Sequence, residues 1–160
     1  MMYPVHKVGV SLNELPDCIS FYIQLHSCKI KCSGCHSTFL WNDTGSYKSI
    51  DYLIEKANIN KNNGCDSIII FGDINNNVSI FNFNNLCREL SNILPLCVYS
   101  GADTINKSLG DISILKYLSY IKLGHFDINL GGLSSISTNQ RLYVVNNGKL
   151  DADITYKFWR

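Results

Sequence analysis

Apolar positions gather in four short runs, Cys18 to Gln24, Ser67 to Phe71, Leu96 to Tyr99 and Tyr120 to Leu123, each rich in Ile, Val, Phe or Tyr and of strand length. The segments between them carry helical spacing instead. Ser49 is placed to cap a helix with Ile50, Leu53, Ile54 and Ala57 on one face, ended by Asn62-Asn63-Gly64. A second helix is predicted from about Phe81 to Ile93, with Leu86, Leu90 and Ile93 inward and Pro95 as its stop. A third, shorter one covers Ile112 to Leu118. Alternation of strand and helix predicts an α/β fold with a mostly parallel sheet, whose right-handed crossovers bring the loops after the strands to one rim, the usual place for ligand chemistry. The loop after Gln24, Gly72-Asp73, Ser100-Gly101 and Gly124-His125 all fall there. Gly131-Gly132 breaks the pattern, and Arg141 to Asn146, an Asn146-Asn147-Gly148 turn and Ile154 to Trp159 read as a C-terminal hairpin.

The chain has 160 residues, 46% of them hydrophobic, which suffices for one packed core, and no Pro, Gly and Ser-rich stretch marks a linker. One domain spanning residues 1–160 is expected. Fourteen basic against thirteen acidic side chains leave a formal charge of +1, so no global field draws the chain to nucleic acid or an anionic membrane. Neither a signal-peptide run nor a membrane-spanning apolar stretch is present in the sequence, and a cytoplasmic protein is expected, with a protein or small molecule as partner.

Seven cysteines, odd in number and unevenly spaced, argue against a secreted disulfide framework. Cys18, Cys65, Cys87 and Cys97 read as small apolar residues in or beside strands and a helix. Cys28, Cys32 and Cys35 differ, because three- and two-residue spacers let three thiolates turn toward one point and hold a metal or iron-sulfur centre with a fourth position open. With His36 or His26 as fourth ligand the same triad would close a tetrahedral zinc site, although no second cysteine pair of the zinc-ribbon kind is present.

The Cys-x3-Cys-x2-Cys spacing resembles that of the radical S-adenosylmethionine superfamily. Within it, the chain from about Cys18 to Val145 looks like the activating protein of the anaerobic (class III) ribonucleoside-triphosphate reductase. The match rests on Cys28-Lys-Ile-Lys-Cys32-Ser-Gly-Cys35-His36, on Trp41-Asn42, on Gly131-Gly132-Leu133, and on Thr138-Asn139-Gln140-Arg141-Leu142-Tyr143. The resemblance implies an incomplete (β/α) barrel of the radical S-adenosylmethionine type with a C-terminal hairpin. It also implies a 4Fe-4S cluster on Cys28, Cys32 and Cys35, whose fourth iron takes the amino and carboxylate groups of S-adenosylmethionine. The implied activity is reductive cleavage of S-adenosylmethionine to place a radical on a glycine of the large reductase subunit, with an electron donor such as flavodoxin or ferredoxin.

Carried over position by position, Gly34, Cys35 and His36 would lie along the adenine. Gly72 and Asp73 sit where the family has Gly-Gly-Glu/Asp-Pro; the first glycine and the proline are missing here, while Asp73 keeps a carboxylate for the methionine ammonium. Ser100 and Lys122 occupy strand ends that contact the carboxylate or ribose in related enzymes. Two other readings stand beside this one: an activase of a different glycyl-radical enzyme, such as pyruvate formate-lyase, and a non-catalytic metal-binding module that regulates a partner.

Overall fold

A computed structural model describes residues 1–27, 41–43, 45–72, 79–105 and 112–159, apart from the side chains of residues 80 and 81. Strands β1 (Met2–Tyr3), β2 (Val5–Ser11), β3 (Ser20–Leu25) and β4 (Lys48–Ser49) precede helix α1 (Ile50–Asn62). Then come β5 (Ser67–Phe71), α2 (Ile80–Ser91), β6 (Leu96–Tyr99), a 3-10 helix over Ile112–Tyr117, β7 (Tyr120–Leu123), β8 (Arg141–Asn146), β9 (Lys149–Asp153) and a last 3-10 helix over Thr155–Trp159. Seven strands form one mixed sheet in the order β2-β3-β5-β6-β7-β8-β9, and β1 and β4 form a separate pair. β3, β5, β6 and β7 lie side by side and parallel, whereas β2, β8 and β9 join antiparallel. Among the described residues the sheet is open, with β2 and β9 at its edges.

The helices form where the sequence supplies both caps and an apolar face. Ser49 Oγ accepts from Tyr52 N at the start of α1, whose Leu53 and Ala57 are buried, and Ser79 Oγ does the same for Asn82 N at α2. α2 ends at Ser91, before Ile93, and the third predicted helix is a single 3-10 stretch.

Two cores sandwich the sheet. On one face Phe21, Ile23, Leu25, Ile68, Ile70, Val98 and Ile121 pack against Leu53, Leu86, Leu90 and Ile114. On the other, Ile69, Cys97 and Leu142 are covered by Leu15, from the segment after β2, and by Ile154, with Phe158 beside them. Burial on both faces is why β5 reads as an uninterrupted Ile68-Ile69-Ile70 run.

The short strands β1 and β4 are absent from the sequence reading, and β2 and the hairpin depart from it as well. β2 was not foreseen, because Val5–Ser11 is an edge strand that interleaves His6, Lys7 and Gly9 with its valines. The hairpin's second strand is Lys149–Asp153, not Ile154–Trp159. Asn147 (φ 51°) and Gly148 (φ 73°) make a two-residue turn that pairs Asn146 directly with Lys149, and all five residues of β9 are exposed, so no apolar alternation announces it. Among the described residues no helix is long and apolar enough to cross a membrane.

Candidate functional site at the rim of the parallel strands

The adjacent parallel strands bring the exits at His26, Gly72, Ser100 and Gly124 to one rim. Just inside this rim, one rung of the sheet carries Gln24, Phe71, Tyr99 and Lys122 on successive strands. Gln24 pairs with Phe71 and Tyr99 with Lys122, and the Phe71 and Tyr99 rings meet edge to face at 5.0 Å. Tyr22 stacks on the Phe71 ring at 5.7 Å. An aromatic lane ending on a cation thus runs across this face of the sheet.

Open grooves flank the lane. One, of about 700 Å³, is lined by Asn13, Glu14, Tyr99, Lys122, Gln140 and Phe158 among others. A second, of about 430 Å³, runs along Tyr22, Gln24 and Phe71 and shares the Glu14 wall. Both volumes lie within the range of small-molecule sites. Tyr99 Oη donates to the Glu14 carbonyl, which straps the segment after β2 over the lane. The groove wall partly desolvates the Glu14 carboxyl, which is still exposed to solvent, and shifts its pKa upward, while burial pushes the Tyr99 phenol well above its ordinary value.

Lys122 is the buried cation of this face among the described residues, while the exposed Lys7, abreast of Gln24, lines the second groove. Lys122 is only 6% exposed, its Nζ donates to the Gly124 carbonyl at 2.8 Å, and it stands 5.6 Å from the Tyr99 ring centre. A lysine is tolerated there because its stem lies along apolar surface while the ammonium finds a carbonyl and a ring face. Ser100 is buried; its Oγ accepts from Ala102 N at 3.1 Å and its own amide donates to the Lys122 carbonyl, so it shapes the turn after β6. Gly72 is at φ +102°, and an added Cβ would lie 2.9 Å from the Leu25 carbonyl oxygen. Only glycine lets the exits of β5 and β3 approach this closely.

Thr138-Asn139-Gln140-Arg141 wraps the exit of β7. Asn139 Nδ2 donates to the His125 carbonyl at 3.1 Å, and Gln140 Nε2 to the Gly124 carbonyl at 3.4 Å. Thr138 Oγ1 ties the element back to the Gly131 carbonyl. Arg141 lies 3.7 Å from Asp153, and its guanidinium sits over the Trp159 ring at 5.9 Å. His125 leaves the rim and pairs with Asp103 at 2.8 Å on the surface.

The remaining predicted residues, Cys28, Cys32, Gly34, Cys35, His36 and Asp73, lie outside the described residues. The segment holding the three cysteines leaves from the end of β3 and returns at Trp41, and its root is closed by the Ser27 amide donating to the Asn42 carbonyl at 3.3 Å. Cys65, Cys87 and Cys97 are buried and Cys18 half-buried, all free, with burial pushing each thiol up. They behave as core atoms. Tyr22, Phe71 and Tyr99 are missed by the sequence reading because only strand register places them on one face, and Glu14 because a long-range bond from Tyr99 Oη to its carbonyl brings it there.

A buried ammonium at the end of an aromatic-floored groove suits an anionic ligand with a flat ring, and among the described residues no group of three or more His, Cys, Asp or Glu side chains is placed to hold a metal ion. No protein-family model matches the chain, and no curated protein matches it either.

Proposed function

We propose that this protein is a radical S-adenosylmethionine activase that generates a glycyl radical on the large subunit of an anaerobic ribonucleoside-triphosphate reductase. The observation that carries this reading is the departure of the Cys28, Cys32 and Cys35 segment from the end of β3, on the rim that holds Lys122 and the grooves. A 4Fe-4S cluster bound by the three cysteines would supply the electron for reductive cleavage of S-adenosylmethionine. The chain's other residues bind and orient. Lys122 offers its ammonium to the methionine carboxylate, at the strand-end position Tyr99 backs. The lane of Tyr22, Phe71 and Tyr99 gives the ligand an apolar floor that excludes water. Gly72 sets the turn that leads into Asp73, and Asn139 and Gln140 hold the β7 exit against the Lys122 end of the groove. The openness of the sheet leaves room for a loop of the partner protein.

Anaerobic reconstitution with iron and sulfide, followed by electron paramagnetic resonance of the reduced protein, tests the reading. The expected result is about four irons per chain and a signal that changes when S-adenosylmethionine is added. A colourless protein that retains a single zinc, or a cluster signal indifferent to S-adenosylmethionine, would refute it. Formation of a glycyl radical on the large subunit then identifies the partner.

A further inference from the structure

The exit of β3 is built around a histidine that the proposed chemistry does not use. His26 is fully buried, 0% exposed, and both ring nitrogens have partners: Nε2 lies 2.7 Å from the Ser46 carbonyl oxygen and Nδ1 lies 2.9 Å from Ser27 Oγ. A carbonyl only accepts, so Nε2 carries a proton, and in the neutral ring Nδ1 accepts from the Ser27 hydroxyl. That hydroxyl belongs to a residue at φ +63°, a region that side chains other than glycine seldom enter. The His26 amide donates to the Pro4 carbonyl at 2.9 Å, which anchors the same residue to the link between β1 and β2. On the returning side, Tyr47 sets its ring edge to face against the imidazole at 5.1 Å, and Asp43 accepts from both Tyr47 Oη and the Gly45 amide. One side chain therefore joins the residue before Cys28 to the stretch that follows the cysteine segment.

We infer that His26 is a positioning residue: its imidazole fastens Ser27, where the chain leaves β3, to Ser46 on the stretch that comes back, and so holds the backbone from which the chain continues to Cys28. The inference rests on the reading of Cys28, Cys32 and Cys35 as cluster ligands, but its physical content, a clamped root, holds for the metal-free chain. With the bond to Ser46 removed, the tie between the exit of β3 and the returning stretch falls back on the backbone bond from the Ser27 amide to the Asn42 carbonyl. With the bond to Ser27 removed, the left-handed backbone one residue before Cys28 loses its restraint. Tyr47→Phe provides the matched control, because it deletes only the outer hydrogen bond to Asp43 and keeps the ring against His26.

The test uses the full chain. Under anaerobic conditions, alkylation rates of the individual cysteines are read by mass spectrometry in the metal-free wild type, His26→Gln, His26→Ala and Tyr47→Phe, with a cooperative melting transition as the fold check. The same proteins are then loaded with iron and sulfide. His26→Gln and His26→Ala are expected to raise the Cys28 alkylation rate several-fold, to hold less than half the iron of the wild type, and to shift the g values of the cluster that does form. Tyr47→Phe is expected to match the wild type. If His26→Ala does not fold, His26→Gln decides. Wild-type labelling, iron content and g values in a folded His26→Gln protein would overturn the inference. Failure of the wild type itself to take up iron would overturn the cluster reading alone, and the labelling comparison would still decide the clamp.

Discussion

Replacing Gly72 with alanine separates backbone strain from steric overlap at the rim. Gly72 sits at φ +102°, where any other residue costs about 1–2 kcal/mol. Its new Cβ would also fall 2.9 Å from the Leu25 carbonyl oxygen and 3.1 Å from Leu25 Cβ, inside a sheet that cannot yield without moving β3 against β5. Overpacking of that kind adds about 1–3 kcal/mol, for a total of about 2–5 kcal/mol. Gly64 supplies the control, with φ +109° and nothing within 4 Å of the point where an added methyl group would stand, so Gly64→Ala carries the backbone part alone. Urea denaturation at equal slopes gives both values, and for a chain of this length each kcal/mol lowers Tm by roughly 2–4 °C. The difference between the two variants is expected at about 1–3 kcal/mol. Equal losses would refute the claim that Gly72 is required by the Leu25 contact.

Three further outcomes are expected. Lys122→Met should fold and weaken S-adenosylmethionine binding about 10- to 100-fold by calorimetry, the equivalent of one charge-assisted hydrogen bond; unchanged affinity would remove Lys122 from the site. Glu14→Gln should raise the unfolding midpoint near neutral pH, with the gain vanishing below the ordinary glutamate value of about 4.3. The sign follows from partial desolvation, which raises the folded-state pKa, so the native chain binds the proton more tightly and loses stability as pH rises from the unfolded toward the folded value; a gain independent of pH would contradict it. Cys87 and Cys97, held protonated in the core, should resist iodoacetamide in the native protein near pH ~8 and react only after denaturation, and native labelling of either would show that the core is open.

β5, β6 and β7 were legible to the residue, because a strand buried on both faces writes a continuous apolar run between turn residues. α1 was equally plain from Ser49 and Asn62-Asn63-Gly64. β2 and β9 were not, since edge strands need bury only part of their surface and their residues carry no clean alternation. The convergence of the strand exits on one rim follows from the parallel arrangement, which the alternation of strand and helix predicts; the strand order itself was not readable. The Gln24, Phe71, Tyr99 and Lys122 rung was not, because which residues of neighbouring strands stand abreast depends on register, and register is set by packing across the sheet. Glu14 was equally silent: its place on the groove wall comes from a long-range bond between its carbonyl and Tyr99. The roles of Asn139 and Gln140 as clamps on Gly124 and His125 likewise required the loop's path.

The core on the groove face has a consequence for how the chain is made. Its cover comes from Leu15 and Ile154, far apart in sequence, and Lys157 reaches Asp17 at 3.6 Å beside it. The helix-side core draws on residues from Tyr3 to Val145 and is complete before Ile154 leaves the ribosome. The sheet can therefore bury its helix-side face while Ile69, Cys97 and Leu142 still await Ile154. Closing so long a loop costs little more entropy than closing a shorter one, but it sets a dependence: the face that bears the grooves is dry only once the stretches around Leu15 and Ile154 have met.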